Sequence, residues 1–208
     1  YRSNDRRIKV VNLLKNSGAA VARSIAISGS SSEYIAFLDS DDVWDPLKLK
    51  RQIEFMKGEI NFSCTSYRQF YDKPDILSHI IDNNSLGIFD YKDLLRKKIS
   101  VGCCTVMIRR DSFKDLSFPD TRTGQDYAFW LKLCRENNQK IYLLNEPLAY
   151  YRLVKGSISD NKFKKAIRQW KIYRDLERIN LILSMFYFLS YVCRGLVTNR
   201  SRLFRKLS

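Results

Sequence analysis

Four carboxylates, Asp39, Asp41, Asp42 and Asp45, fall within seven positions at the end of a short apolar run, Tyr34 to Leu38. The chain around them is strongly basic, so this concentration of acid needs a cause. Residues two apart on an extended strand end point to the same side, which brings Asp39 and Asp41 together. Two converging carboxylates repel each other unless a cation lies between them. Hard divalent cations such as Mg²⁺ or Mn²⁺ take oxygen ligands, and often bind through one or two carboxylates plus a substrate's phosphates. The pattern therefore points to a metal site for a phosphorylated ligand. The competing explanation is helix capping. Asp45 before Pro46 has the order of a cap residue followed by proline at the first helical position.

The elements that must position these acids can be read in order. Ile8 to Leu14 is rich in β-branched residues and reads as a strand. Ala19 to Ser28 reads as a helix, Tyr34 to Leu38 as a buried strand, and Pro46 to Lys57 as a helix with Leu47, Leu49, Ile53 and Met56 on its apolar face. Strand, helix, strand and helix in that order suggest an α/β unit with a parallel sheet. Ligands bind such sheets at the carboxyl ends of the strands, where the acids sit. Further on, Asn61 to Tyr71 reads as a strand pair, Asp82 to Gly87 as a polar loop and Asp90 to Lys97 as a helix. Gly102 to Arg109 reads as a buried strand, the stretch from Gly124 as an amphipathic helix, and Lys140 to Leu144 as a strand.

The 208 residues suit one domain with an appendage, and 45% hydrophobic content supports a packed core. The net charge of +15 fits nucleic acid, an anionic membrane surface or a phosphorylated ligand. Five cysteines, two adjacent and none in a C-x-x-C pair, argue against a disulfide framework or a zinc site and for a reducing compartment. The single histidine, His79, leaves little material for histidine-based catalysis and reads as a bystander.

Four further stretches carry a resemblance. Asn16-x-Gly18 and Ala22-Arg23 precede the acidic segment Tyr34 to Leu49. Gly102 to Arg110 follows, then Thr123-Gly-Gln-Asp-Tyr-x-x-Trp-Leu131, then Pro147-Leu-Ala-Tyr-Tyr-Arg152 with Ser157 and Ser159 beyond it. In this order they resemble the family 2 glycosyltransferases of the GT-A fold, over roughly residues 8 to 160. The resemblance implies a mixed, Rossmann-like sheet flanked by helices, with a partial GT-A domain over 1–160 and a basic helical tail over 161–208. It implies transfer of a sugar from a nucleotide-diphosphate donor to an acceptor hydroxyl, with inversion, in cell-surface polysaccharide synthesis. Asp39 and Asp41 would bind donor and Mg²⁺ or Mn²⁺, Asp126 would be the general base, and Arg23, Arg152 and Ser157 would contact the donor. Asp126 as a helix cap and Arg152 as a surface ion pair are the structural alternatives.

Two departures qualify that expectation. Gln125 stands where the family has glutamate before the catalytic aspartate. The family's first strand and its Asp-Asp-Gly-Ser segment have no counterpart, so the chain reads as N-terminally truncated, with weak donor binding expected. An inactive fragment, or a non-catalytic partner of a complete transferase, is the alternative function.

The tail has its own pattern. From Lys162 to Ser208 twelve Lys and Arg face two acidic residues, ten of the fifteen net positive charges. Leu181 to Cys193 is an apolar run of thirteen residues, short of the ~20 that span a bilayer. An apolar helix flanked by arginines suits an interface with anionic lipid. The expectation is a cytoplasmic protein held peripherally at the inner face of the membrane, acting on a saccharide or lipid-linked saccharide acceptor. Packing of the run on the domain as a final helix is the other outcome. No helix-turn-helix, zinc or RNA-recognition signature supports a nucleic-acid partner.

Overall fold

The computed structural model describes residues 4–74, 80–81, 87–121, 123–154 and 162–204. His79, the loop 82–86, Ser157 and Ser159 lie outside them.

Alanine-rich sequence starts the regular structure. Helix α1 (Gly18–Ser28) buries Ala20 and Ile27, and the Gly29 N–H closes it on the Ile25 carbonyl at 3.0 Å. Strand β1 (Tyr34–Ala36) leads into the acidic turn, and β2 (Val43–Trp44) leaves it. Helix α2 (Lys48–Phe55), β3 (Phe62–Phe70), β4 (Ile80–Ile81) and β5 (Ile88–Phe89) follow. Helix α3 (Tyr91–Leu95) opens on a capping box: Asp90 accepts from the Asp93 N–H, and the Asp93 carboxylate accepts from the Asp90 N–H. A 3₁₀ turn at Cys103–Thr105 precedes β6 (Met107–Arg109). Then come α4 (Gln125–Asn137), the long β7 (Ile141–Arg152), α5 (Lys162–Lys171), a π-helical turn at Ile172–Leu176, and α6 (Leu181–Phe204).

The sheet order is β1-β6-β3-β7-β2, with β4 on β3 and β5 on β7. The sheet is mixed, as the resemblance implies, and the parallel unit suggested by the strand–helix order is corrected: among the described strands only β3 and β7 run parallel, and the other pairs are antiparallel. The register between β3 and β7 shifts around Ser66, opposite Pro147. Proline has no N–H for a ladder, so an irregularity is where a strand tolerates it.

Four element expectations change. Ile8 to Leu14 is irregular and exposed, with no strand partner among the described residues. β-Branched residues favour a strand only where a neighbouring strand and a packed face receive them. Asn61 to Tyr71 is one strand rather than a pair, because Ser63 to Phe70 pairs continuously along β7 and Phe62 pairs with β6. Gly102 to Arg109 begins as a 3₁₀ turn, closed by Thr105 Oγ1 donating to the Gly102 carbonyl at 2.7 Å.

Helix α2 faces the other way from its apolar pattern. Leu47, Leu49 and Ile53 are exposed, while Lys48, Gln52 and Met56 have no exposed surface. The Lys48 ammonium lies 4.4 Å from the Trp44 ring centroid and donates to Gln52 Oε1 at 2.7 Å. Gln52 Nε2 in turn donates to Ser63 Oγ at 2.9 Å and the Thr105 carbonyl at 3.0 Å. A satisfied polar chain thus replaces the expected apolar contact.

The main core is aromatic. Phe37 meets Trp130 edge-on at 5.7 Å, and Phe118 stacks on Phe129 at 4.0 Å. Phe37 lies two residues before Asp39 and Trp130 four after Asp126, so this packing fixes the ends of β1 and α4 relative to each other. Tyr187 of α6 enters the same core, with Ile172 and Tyr173.

Candidate active site

Arg23 gathers the site. From the middle of α1 its Nη2 donates to Asp39 Oδ1, and its Nη1 donates to Gln125 Oε1 at 3.4 Å. Its guanidinium sits 5.7 Å from the Phe118 ring centroid. One side chain therefore ties the acidic turn to the first residue of α4, next to Asp126. Burial opposes the charge on Arg23, but Cys103, Asp39 and Asp126 outweigh it and raise its pKa. Gln125, a departure in sequence, serves here as a neutral acceptor for Arg23.

The acidic turn runs between β1 and β2 and is braced by β7. Asp42 is buried, and its Oδ1 accepts from the Arg152 N–H at 2.9 Å. Its Oδ2 is buried with no hydrogen-bond partner among the described residues. Burial raises its pKa, and Asp41 and Asp39 add to that against the Arg152 N–H and the Cys104 thiol. Asp41 is exposed, and its carbonyl accepts from Arg152 Nε at 2.9 Å. Arg152 also donates from Nη1 to the carbonyls of Tyr71 and Asp72, at 3.1 and 3.0 Å, above the Phe70 ring. These donors face backbone carbonyls, and no carboxylate pairs with Arg152 among the described residues. Asp45 accepts from the Leu47 N–H at 2.8 Å and closes the turn ahead of α2.

Asp126 stands in the first turn of α4, where its Oδ1 accepts from the Tyr127 N–H at 2.8 Å. The cap position belongs to Gly124, at φ 74°, so Asp126 is not the helix cap. A carboxylate there is favoured by the helix dipole.

Three neighbours were not visible as site residues in the sequence. Tyr151 has its pKa pushed up to about 12 by burial and by Asp42, Asp126 and Asp41, so it keeps its phenolic proton. The Cys103 thiol is raised by burial and by surrounding acids and stays protonated. Lys97 follows α3 with φ 55° and holds its ammonium 3.0 Å from the Tyr127 ring centroid. Burial, with repulsion from Arg168, pushes its pKa down to about 7 against the attraction of Asp126. A surface-like Arg-Lys-Lys stretch gives no sign of this.

Among the described residues no group of three or more His, Cys, Asp or Glu side chains is placed to hold a metal. The donor set fits a weaker mode: Asp39 and Asp41 flank one turn, and buried Asp42 keeps an oxygen without a nitrogen or hydroxyl donor. A Mg²⁺- or Mn²⁺-type ion bound by so few carboxylates completes its shell with water and substrate phosphate. A groove of about 390 Å³ runs along β1 and ends at Arg23 and Asp39.

The mixed sheet flanked by helices is that of the GT-A fold. The chain matches the model for Glycosyl transferase family 2 over residues 1–117 and belongs to that family. It is 42% identical over 192 residues to the Bacillus subtilis protein named as a teichuronic acid biosynthesis glycosyltransferase, TuaG, across 92% of this chain and 75% of that one. It is 36% identical over 201 residues to the Escherichia coli UDP-Glc:alpha-D-GlcNAc-diphosphoundecaprenol beta-1,3-glucosyltransferase WfgD, across 93% of this chain and 74% of that one. The crystal structure of S. aureus TarS 1-349 shares the fold, with a TM-score of 0.56 at 14% identity, over 89% of this chain and 53% of that one.

Proposed function

We propose that this chain moves a sugar from a nucleotide-diphosphate donor to a hydroxyl of a lipid-linked saccharide, with inversion, in surface-polysaccharide synthesis. The observation that carries it is the Arg23 bridge, which joins the donor-side acids to the helix end that holds Asp126. The E. coli relative's name supports a diphosphate-linked lipid acceptor.

In this reading Asp126 takes the acceptor proton as the hydroxyl oxygen attacks the anomeric carbon. The bond from that carbon to the donor diphosphate breaks on the opposite face, and the nucleoside diphosphate leaves. General-base help of this kind contributes about 10²–10⁴ in rate. Asp39 and Asp41 would hold Mg²⁺ or Mn²⁺, which when bound neutralises charge on the leaving diphosphate. Arg23 orients Asp39, and Arg152 holds the turn that presents Asp41. Ser157, outside the described residues, is assigned to donor phosphate contact on resemblance alone.

The tail, residues 161–208, is assigned to peripheral contact with the inner face of the membrane. No described helix is long and apolar enough to cross a membrane. Helix α6 buries Ser184 and Tyr187 but exposes Ile182, Met185, Phe186 and Leu189, and arginines follow in sequence. Such a face suits the boundary of an anionic bilayer.

The test is a thermal-shift titration with Mn²⁺ and UDP, GDP or dTDP on this chain and on Asp41→Asn. One nucleotide should stabilise the chain and lose that effect in the variant. A folded chain that none of them stabilises would overturn the proposal.

A further inference from the structure

We propose that Lys97 and Arg168 form an anion site beside Asp126 that receives the diphosphate of the acceptor. This rests on the lipid-linked acceptor read above.

Two cations from separate elements approach the same end of α4. Lys97 leaves α3 in the left-handed region, and its carbonyl accepts from Arg194 Nη1 of α6 at 3.3 Å. Ser190 Oγ of α6 donates to the neighbouring Arg96 carbonyl at 3.1 Å, so the tail helix grips this turn twice. Arg168 comes from α5 and crosses Gly124. A Cβ at Gly124 would stand 3.0 Å from Arg168 Cδ and 3.3 Å from its Nε, so a larger residue there would crowd this path. Gly124 is two residues before Asp126.

Lys97 is attracted by Asp126, while burial and Arg168 oppose its charge. An anion between Lys97 and Arg168 would relieve that repulsion and favour the ammonium form. Guanidinium and ammonium together match phosphate oxygens, the first through paired donors and the second as a point charge. The donor's phosphates are already provided for at the acidic turn, which Arg23 reaches from α1. The Lys97 side is bounded instead by α6, whose outer face is apolar. Tyr127, with its ring under the Lys97 ammonium, holds that charge in place through a cation–π contact.

The test uses the whole chain with geranyl diphosphate as a soluble probe, titrated calorimetrically in EDTA so that metal-dependent binding at the acidic turn is silent. The unaltered chain should bind it. Lys97→Gln and Arg168→Gln should each weaken it about tenfold, as expected for a lost charged hydrogen bond. Arg168→Lys should recover part of the loss. No binding to the unaltered chain overturns the site, as does binding by both glutamine variants as tight as that of the unaltered chain. If one variant fails to melt cooperatively, the other and Arg168→Lys decide. UDP with Mn²⁺, titrated into the same proteins, separates the two claims. UDP binding without geranyl diphosphate binding sinks only this site, whereas a folded unaltered chain blind to all nucleotides sinks the transferase proposal.

Discussion

At the scale of single residues, the sequence singles out Asp39 and Asp41 by their place at the end of an apolar run, and Asp126 by the resemblance of its Gly-Gln-Asp-Tyr-x-x-Trp stretch. The resemblance makes Arg152 a donor contact, and in the fold its Nε and Nη1 hydrogens face the carbonyls of Asp41, Tyr71 and Asp72, a commitment that only tertiary contact reveals. Lys97 was missed because its partners come from α4, α5 and α6, far away in sequence. Asp126→Asn should reduce labelled-sugar transfer about a thousandfold while leaving the thermal melt intact; transfer at the unaltered rate would remove Asp126 as base. Lys97 also predicts a pH effect. Its pKa is about 7 in the fold, against an ordinary 10.5. Between those values the unfolded chain holds more protons than the folded one, so Lys97's contribution to stability rises with pH through that window. Below about pH 7 the penalty for burying its charge is complete. Urea unfolding at about pH 6.5 and 8.5 should show the stability of Lys97→Met, relative to the unaltered chain, falling as pH rises. An unchanged difference would place the Lys97 pKa outside this range.

At the scale of elements, local signals worked where the neighbours were local. Helix α3 follows from its capping box, and α4 from an amphipathic run whose buried side carries Phe129, Trp130, Leu131 and Leu133. Strand β7 extends well past Leu144 because β5, β3 and β2 all pair along it; no periodicity within the strand announces those partners. Helix α2 shows how a correct pattern can give the wrong face. Its leucines are periodic, yet Lys48 has Trp44 and Gln52 to receive it, and Gln52 has Ser63 and the Thr105 carbonyl. The burial is coupled, and that predicts a non-conservative response. Gln52→Leu adds apolar volume but leaves the Lys48 ammonium without its acceptor. The change should cost about 1.5–3 kcal/mol, the range for hydrogen bonds to charged groups. Urea unfolding measures it, and Lys48→Met combined with Gln52→Leu should recover much of the loss. A neutral single variant would show that Lys48 does not depend on Gln52.

At the scale of the whole molecule, charge and apolarity meet on one element. Composition alone allowed nucleic acid as readily as lipid, because a net charge carries no address. The fold narrows the choice by turning Ile182, at 80% exposure, and Met185 and Leu189 outward on the helix whose other face grips the turn of Lys97. Flotation with anionic liposomes should carry the unaltered chain upward, and replacing Ile182, Met185 and Leu189 by aspartate should leave it at the bottom without lowering its melting temperature. Equal flotation would assign the lipid contact elsewhere. The cysteines give that helix a built-in reporter. Cys64, Cys103, Cys104 and Cys134 are buried, and Cys193 on α6 is exposed. A thiol-reactive fluorophore added to the folded protein should therefore attach at one position without any engineered change. Its emission colour would then track whether the tail is in water or against lipid during turnover.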